Sequence, residues 1–256
     1  MNEEGIRFFR YVLPGLVFFI ETLLFAYIIL PEQTVCFLND HFKDLGTAAA
    51  VFLASGGLGF IFASIHHFVH WQPCFSCFEN TFDHRIVINK LHASQLIDPT
   101  IWEEINKIYS NQTKAKMEAL KHSQSLWYKL LKPRRAGKVA IDNLGHRAQG
   151  LGAARIASVF ALFSAIYLSV QYGTPKCGLL WVGMLFIGLF AIYIFHTGYK
   201  RIADLAHGQY TITLYKEADI RRKRIMEAAY LRSESRRNIP GHELDDWLAA
   251  EAEIDK

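Results

Sequence analysis

The chain has 256 residues, of which 51% are hydrophobic and only 20% charged, a lean share of charge for a soluble protein. Its formal net charge of +4 is too small to mark a nucleic-acid binder, and no nucleic-acid partner is expected; a basic surface beside a membrane accounts for it equally well. Charge placement is more informative than charge, because the apolar residues are gathered into four blocks separated by ordinary charged, helix-forming sequence.

The first block covers 12–30, opens after Arg7 and Arg10, closes at Pro31 and holds one ionisable residue, Glu21. The second covers 45–65, and the third and fourth cover 156–172 and 178–195; all three are uncharged. Each is close to the ~20 residues that a helix rising ~1.5 Å per residue needs to cross ~30 Å of hydrocarbon. A backbone in lipid must satisfy its own hydrogen bonds, and no alternating pattern suggests a barrel, so the blocks predict helices. The first is longer than a signal-peptide core, and the residues after it lack small side chains at a cleavage spacing, so it reads as a retained span.

The flanks set the orientation. The segments 31–44 and 173–177 hold one lysine each, Lys43 and Lys176, whereas the centre carries Lys129, Lys132, Arg134, Arg135, Lys138, Arg147 and Arg155. The tail opens with Lys200 and Arg201 and continues through Arg221, Arg222, Lys223 and Arg224. The excess of Lys and Arg predicts a multi-pass protein of the bacterial inner membrane with both termini and the centre in the cytoplasm. The expected fold is therefore an all-α integral membrane protein with four transmembrane helices in two hairpins. Its predicted parts are hairpin one in 1–70, a cytoplasmic helical module in 71–155, hairpin two in 156–196 and a cytoplasmic C-terminal helical tail in 197–256.

Glu21 stands at the midpoint of the first span, where a charged carboxylate is disfavoured by ~2.5–3.5 kcal/mol on insertion scales. It is expected to face protein or water, either bonding a neighbouring helix or lining a pore. Close helix packing in lipid relies on small residues. The third span carries them at every fourth position, Ala153, Ala157, Ala161, Ala165 and Ser169, and the second has Ser55, Gly59 and Ala63. These two small faces are expected helix contacts, within one chain or between the subunits of a homo-oligomer.

In the centre, Asp98-Pro99 followed by Glu103 reads as a helix start, and the apolar spacing from Trp102 to Leu131 predicts a helix that Lys132-Pro133 ends. A second helix from Ala136 is expected to run into the third span. No phosphate-binding loop or nucleophile elbow is present in the sequence.

Four cysteines need a place. Cys36 and Cys177 fall in the two outer loops and are a disulfide candidate. Cys74 and Cys77 form a Cys-x-x-Cys that, with His70 and His84, offers ligands for tetrahedral zinc. The competing and preferred reading is two buried thiols beside histidines that snorkel at the membrane surface, so no cofactor is expected by default. A haem between His66 and His196, or an iron site on His66, His67 and His70, would make the protein a membrane-embedded metalloenzyme, but neither has a second motif to support it.

Near the C-terminus the sequence carries Ala229-Tyr230, then Gly241-His242, Asp246-Trp247 and Ala250-Glu251. In these residues 225–254 resemble a short bacterial domain family of unknown function. The resemblance implies a compact two-helix module without an attached activity, in which Tyr230 and Trp247 close a small core around Gly241. The whole organisation also resembles small four-span bacterial membrane effectors of anti-phage defence, in architecture alone. The leading functional expectation is an oligomeric channel or pore-type effector that perturbs the lipid bilayer. The alternatives are a membrane anchor or adaptor that recruits a soluble cytoplasmic protein partner, and the metalloenzyme.

Overall fold

A computed structural model of the chain describes residues 3–41, 45–71, 84–107, 112–130, 136–173, 178–237 and 239–254, and every regular element among them is helical. In chain order these are α1 (Glu3–Arg7), a π-helical turn (Phe8–Val12), α2 (Leu13–Ile29), α3 (Pro31–His41), α4 (Leu45–Trp71), α5 (His84–Ala93), α6 (Pro99–Lys107), α7 (Gln112–Leu130), α8 (Ala136–Tyr172), α9 (Gly178–Ser235) and α10 (Glu243–Ile254). Four helical stretches are long and apolar enough to cross a membrane: Glu4–Ile29, Ala49–Val69, Lys138–Tyr172 and Gly178–Ser235. Their outward residues fit that reading, since Leu53, Val170 and Leu179 are 75%, 76% and 79% exposed, and so many large apolar side chains facing outward are unusual for a water-soluble monomer.

The π turn has a cause in Pro14. Proline lacks the N–H that would bond the carbonyl of residue 10 and its ring crowds that carbonyl, so the preceding turn widens. The amide of Leu13 accordingly donates to the carbonyl of Phe8, five residues back. Segment 31–41, expected to be a loop, is helical: Pro31 suits a first helical position, and Glu32 lies in the first turn where the helix dipole favours an acid.

The chain divides into two compact units, one made of Met1–Thr81 with Ala140–Ala206, the other of Phe82–Val139 with His207–Lys256. In the first unit Phe25, Ile29, Ala161, Ala165 and Met184 form one buried cluster, and Phe62, Ala153 and Ala157 form another. In the second unit Ile88, Ile105 and Ala119 form the centre, with Ile97, Trp102 and Leu126 against them. The Asp98 side chain caps α6 by accepting from the Thr100 amide at 2.9 Å. The single helix expected over 102–131 is described as α6 and α7. Helix α5 had no counterpart in the sequence reading; it ends in a turn where Gln95 takes φ 54° and the Leu96 amide donates to the Leu91 carbonyl at 2.8 Å, the pairing of a Schellman cap.

Helix α9 is unbroken for 58 residues. At ~1.5 Å per residue it is ~85 Å long, nearly three times the thickness of bilayer hydrocarbon. Helix α8, with 37 residues, likewise runs without interruption through the expected boundary at 155–156.

Candidate functional site

Three polar constellations are built into the helices, and the first depends on glycines. A Cβ placed on Gly15 would collide with the Ser55 carbonyl, one on Gly59 with the Tyr11 carbonyl, and one on Gly150 with the Phe9 carbonyl. The π turn and the start of α2 therefore lie directly on the backbones of α4 and α8. Ser55 and Gly59 meet the first span, while Ala63 joins Phe62 against Ala153 and Ala157. Further along α8, Ala161 and Ala165 pack around Phe25, Ile29 and Met184, and Ser169 is buried.

Inside this close packing lies Glu21, at the middle of the 17-residue α2 and only 9% exposed. The Ser158 hydroxyl of α8 donates to its Oε1 at 2.8 Å. Glu21 Oε2 and the neighbouring Thr22 Oγ1 are buried without a hydrogen-bond partner among the described residues. A charged carboxylate with one unsatisfied oxygen in lipid-enclosed protein is strongly disfavoured, so the arrangement suits a carboxylic acid whose neutral form ties α2 to α8.

The second constellation gathers at the start of the apolar part of α8. Arg155 is 8% exposed and donates from Nη1 to His196 Nδ1 at 2.9 Å, and its guanidinium lies 5.4 Å from the Tyr199 ring centre. An arginine can only donate, so His196 Nδ1 is the acceptor in this bond. His66 is 3% exposed, lies against Gly152 where no Cβ would fit, and meets Tyr199 edge-on at 5.2 Å. The two histidines considered as haem ligands thus share a cluster with Tyr199, and one of them is already bonded to Arg155. Closer to the N-terminus, Arg10 reaches His146 Nδ1 at 3.4 Å.

The third is in the second unit. His84, one of the zinc candidates, has its Nδ1 2.7 Å from the Ser123 hydroxyl. Tyr210 donates its hydroxyl to the Ser123 carbonyl at 2.8 Å and stacks on Trp127 with ring centres 4.6 Å apart; burial pushes its phenol up to about 12. The other zinc candidates, Cys74, Cys77 and the side chain of His70, lie outside the described residues, and among the described residues no three metal-ligating side chains gather. For the disulfide candidate, Cys36 donates its thiol to Asp40 Oδ2 at 3.3 Å, which raises the thiol's pKa; Cys177 lies outside the described residues.

Helices α9 and α10 build the tail. Leu214, Ala218 and Ile225 are buried along one stripe of α9, and the same stripe presents Arg221 and Arg232. These pair with Glu251 at 2.5 Å and Glu253 at 2.6 Å, and Arg236 pairs with Asp246, which is 4% exposed. The first turn of α10 holds Glu243, Asp245 and Asp246 at the positive end of the helix dipole. Glu243 accepts from the Gly241 amide at 3.1 Å, and backbone donors hold its carboxyl below the usual range. Gly241 has φ 93°, a conformation that favours glycine.

One residue departs from its expected place. Tyr230, assigned to the core of the tail, is 63% exposed. The reason is register: five residues past buried Ile225, at ~100° per residue, it lies ~140° around the helix from the packed stripe. Trp247 is half-buried and stands one position from Asp246.

Residues 220–256 match a family described as Protein of unknown function (DUF2934). The match is confined to the last part of α9 and to α10, and the segment singled out by sequence, 225–254, falls inside it. No curated protein and no solved structure matches the chain.

Several features of these sites escaped the sequence reading. The Pro14-Gly15 pair inside an apolar block was a visible signal for a widened turn and a close approach. The partners Ser158 and His196 had none, since they lie 137 and 41 residues from the groups they bond.

Proposed function

We propose that the chain is a four-span protein of the bacterial cytoplasmic membrane, its spans paired as two hairpins, which anchors a cytoplasmic helical module for a soluble protein partner. The observation that carries this reading is α9, which continues unbroken from an apolar start at Gly178 into the matched tail segment. The span and the docking element are therefore joined within one helix and not by a separate linker. The excess of Lys and Arg in the centre and tail supports an inside location for both. The first residues of α9 support a homo-oligomer within the membrane, since Val182 and Phe186 are 64% and 67% exposed and offer an apolar face to lipid or to a second copy.

A pore-type effector, as in anti-phage defence, is the second reading, and Glu21 is the observation that favours it, because intramembrane carboxyls often mark ion paths. The burial of Glu21 inside a single chain moves it to second place: a residue lining a pore between subunits would face out of its own subunit.

Two measurements test the proposal. In an otherwise cysteine-free protein, cysteines at Gln33 and Thr174 should react with an impermeant thiol reagent added outside intact cells, while cysteines at the exposed positions Ser125 and Ser235 should react only after permeabilisation. The reverse pattern inverts the topology and removes the cytoplasmic module. In liposomes, purified protein should pass no more ions than empty vesicles; a conductance that scales with protein would replace the anchor with the pore.

A further inference from the structure

We infer that the second unit binds a small flat anion, an aromatic ring carrying one carboxylate or phosphate, in a cavity walled by the 95–98 turn, α7, α9 and the tail helix α10. The cavity has a volume of about 300 Å3, the lower end of the range used for small-molecule sites. Leu96, Leu130 and Ile225 contribute apolar surface to a lining that is as polar as it is apolar, and Trp247 is part of one wall. The Schellman turn that fixes Gln95 and Leu96 at one edge, and the Arg221–Glu251 pair that holds α10 at the other, make the walls defined backbone and helix.

The rim decides the ligand's charge. It carries Lys129, Arg221 and Arg222 against Asp98 and Glu251. Glu251 holds Arg221, while Asp98 Oδ1 accepts from the amide and the hydroxyl of Thr100 at 2.9 and 2.8 Å and keeps its charge. Arg222 instead donates to two neutral oxygens, the Ser94 carbonyl at 3.0 Å and Gln95 Oε1 at 3.4 Å. These fix its guanidinium at the cavity without cancelling its charge. A planar guanidinium is matched to carboxylate or phosphate oxygens, and an indole face to a flat ring. Apolar surface beside Trp247, a rim of three cations against two carboxylates, and an Arg222 guanidinium with no carboxylate partner among the described residues therefore suit a ring with a single anionic group. Five of the lining residues, from Arg221 to Glu251, lie in the matched segment 220–256, so the tail would act as a wall of the site. The inference holds whether the chain anchors a partner or conducts ions.

The test uses full-length protein in lipid nanodiscs, titrated calorimetrically with indole-3-carboxylate and with AMP, which separate a carboxylate from a phosphate ligand. At least one of them should saturate at one per chain, and its neutral counterpart, indole-3-carboxamide or adenosine, should bind at least about tenfold more weakly, as should an Arg222→Gln protein. A Leu130→Trp protein, which fills the cavity, should melt like the parent and bind neither. If neither anion saturates at millimolar concentration, if the neutral compound equals the acid, or if folded Arg222→Gln or Leu130→Trp binds like the parent, the site does not exist.

Discussion

A Gly59→Ala protein should lose its folded, monodisperse state in detergent, whereas Gly56→Ala and Gly57→Ala should melt at or slightly above the parent. All three glycines lie on α4 within a single turn, and the exchange is the same. A Cβ on Gly56 or Gly57 meets nothing within 4 Å. At those sites the exchange only improves helix propensity, by ~0.5–1 kcal/mol. On Gly59 the same atom is driven into the Tyr11 carbonyl. Overpacking commonly costs ~1–3 kcal/mol, and here the obstacle is backbone held by the π turn, which has no rotamer to move into. The first span would have to separate from α4, and with it the surface on which Gly15 meets Ser55. Thermal unfolding followed by size-exclusion chromatography reads the result. A Gly59→Ala protein that melts with its two neighbours would mean that the spans are not in backbone contact there.

The elements that the sequence made legible are those that depend on composition alone. The four apolar blocks needed only the cost of an unpaired backbone in lipid, and the four long helices follow them. Small residues on α8 stood at helical spacing, so their common face could be read, but which neighbour each would meet could not. Ser55 and Gly59 meet the first span, and Ala63 lies near α8, because the crossing of three helices is set by backbone approach and not by a pattern within one of them. The tail illustrates the same limit. Its two helices were implied by the resemblance of 225–254 to a short family, and they are present. The side of α9 that packs was fixed by the register of Leu214, Ala218 and Ile225, which leaves Tyr230 outside. Segment 31–41 was read as part of the loop that joins two spans, yet a proline at the first position and an acid at the second also start a helix. The buried Arg155 and its bond to His196 were illegible, since charge at a block edge was used to set topology, and a side chain folding inward onto the next span leaves no trace in spacing.

Removal of the Ser158 hydroxyl should destabilise the protein more than removal of the carboxyl it touches. Ser158→Ala leaves both oxygens of buried Glu21 without a partner, where one now has a donor at 2.8 Å, and a stranded buried polar group costs ~1–3 kcal/mol. Glu21→Gln keeps an oxygen in place to accept from Ser158 and should change stability little. Glu21→Leu strands only a serine hydroxyl, which can turn to a carbonyl of its own helix, as Ser64 and Ser164 do at 2.9 and 3.0 Å. The double substitution Glu21→Leu with Ser158→Ala removes both polar groups and should recover most of the loss. A cycle over these proteins, measured by unfolding in detergent, should give a coupling of about 0.6–1.7 kcal/mol, the range found for hydrogen bonds between membrane helices. Additive losses would mean that the two side chains do not meet. The same proteins separate the two functional readings. If Glu21 only joins α2 to α8, Glu21→Gln leaves both stability and membrane conductance as they were. A Glu21→Gln protein of parental stability whose liposome conductance or cation preference differs from the parent's would place an ion path at the carboxyl, and the anchor reading would fall.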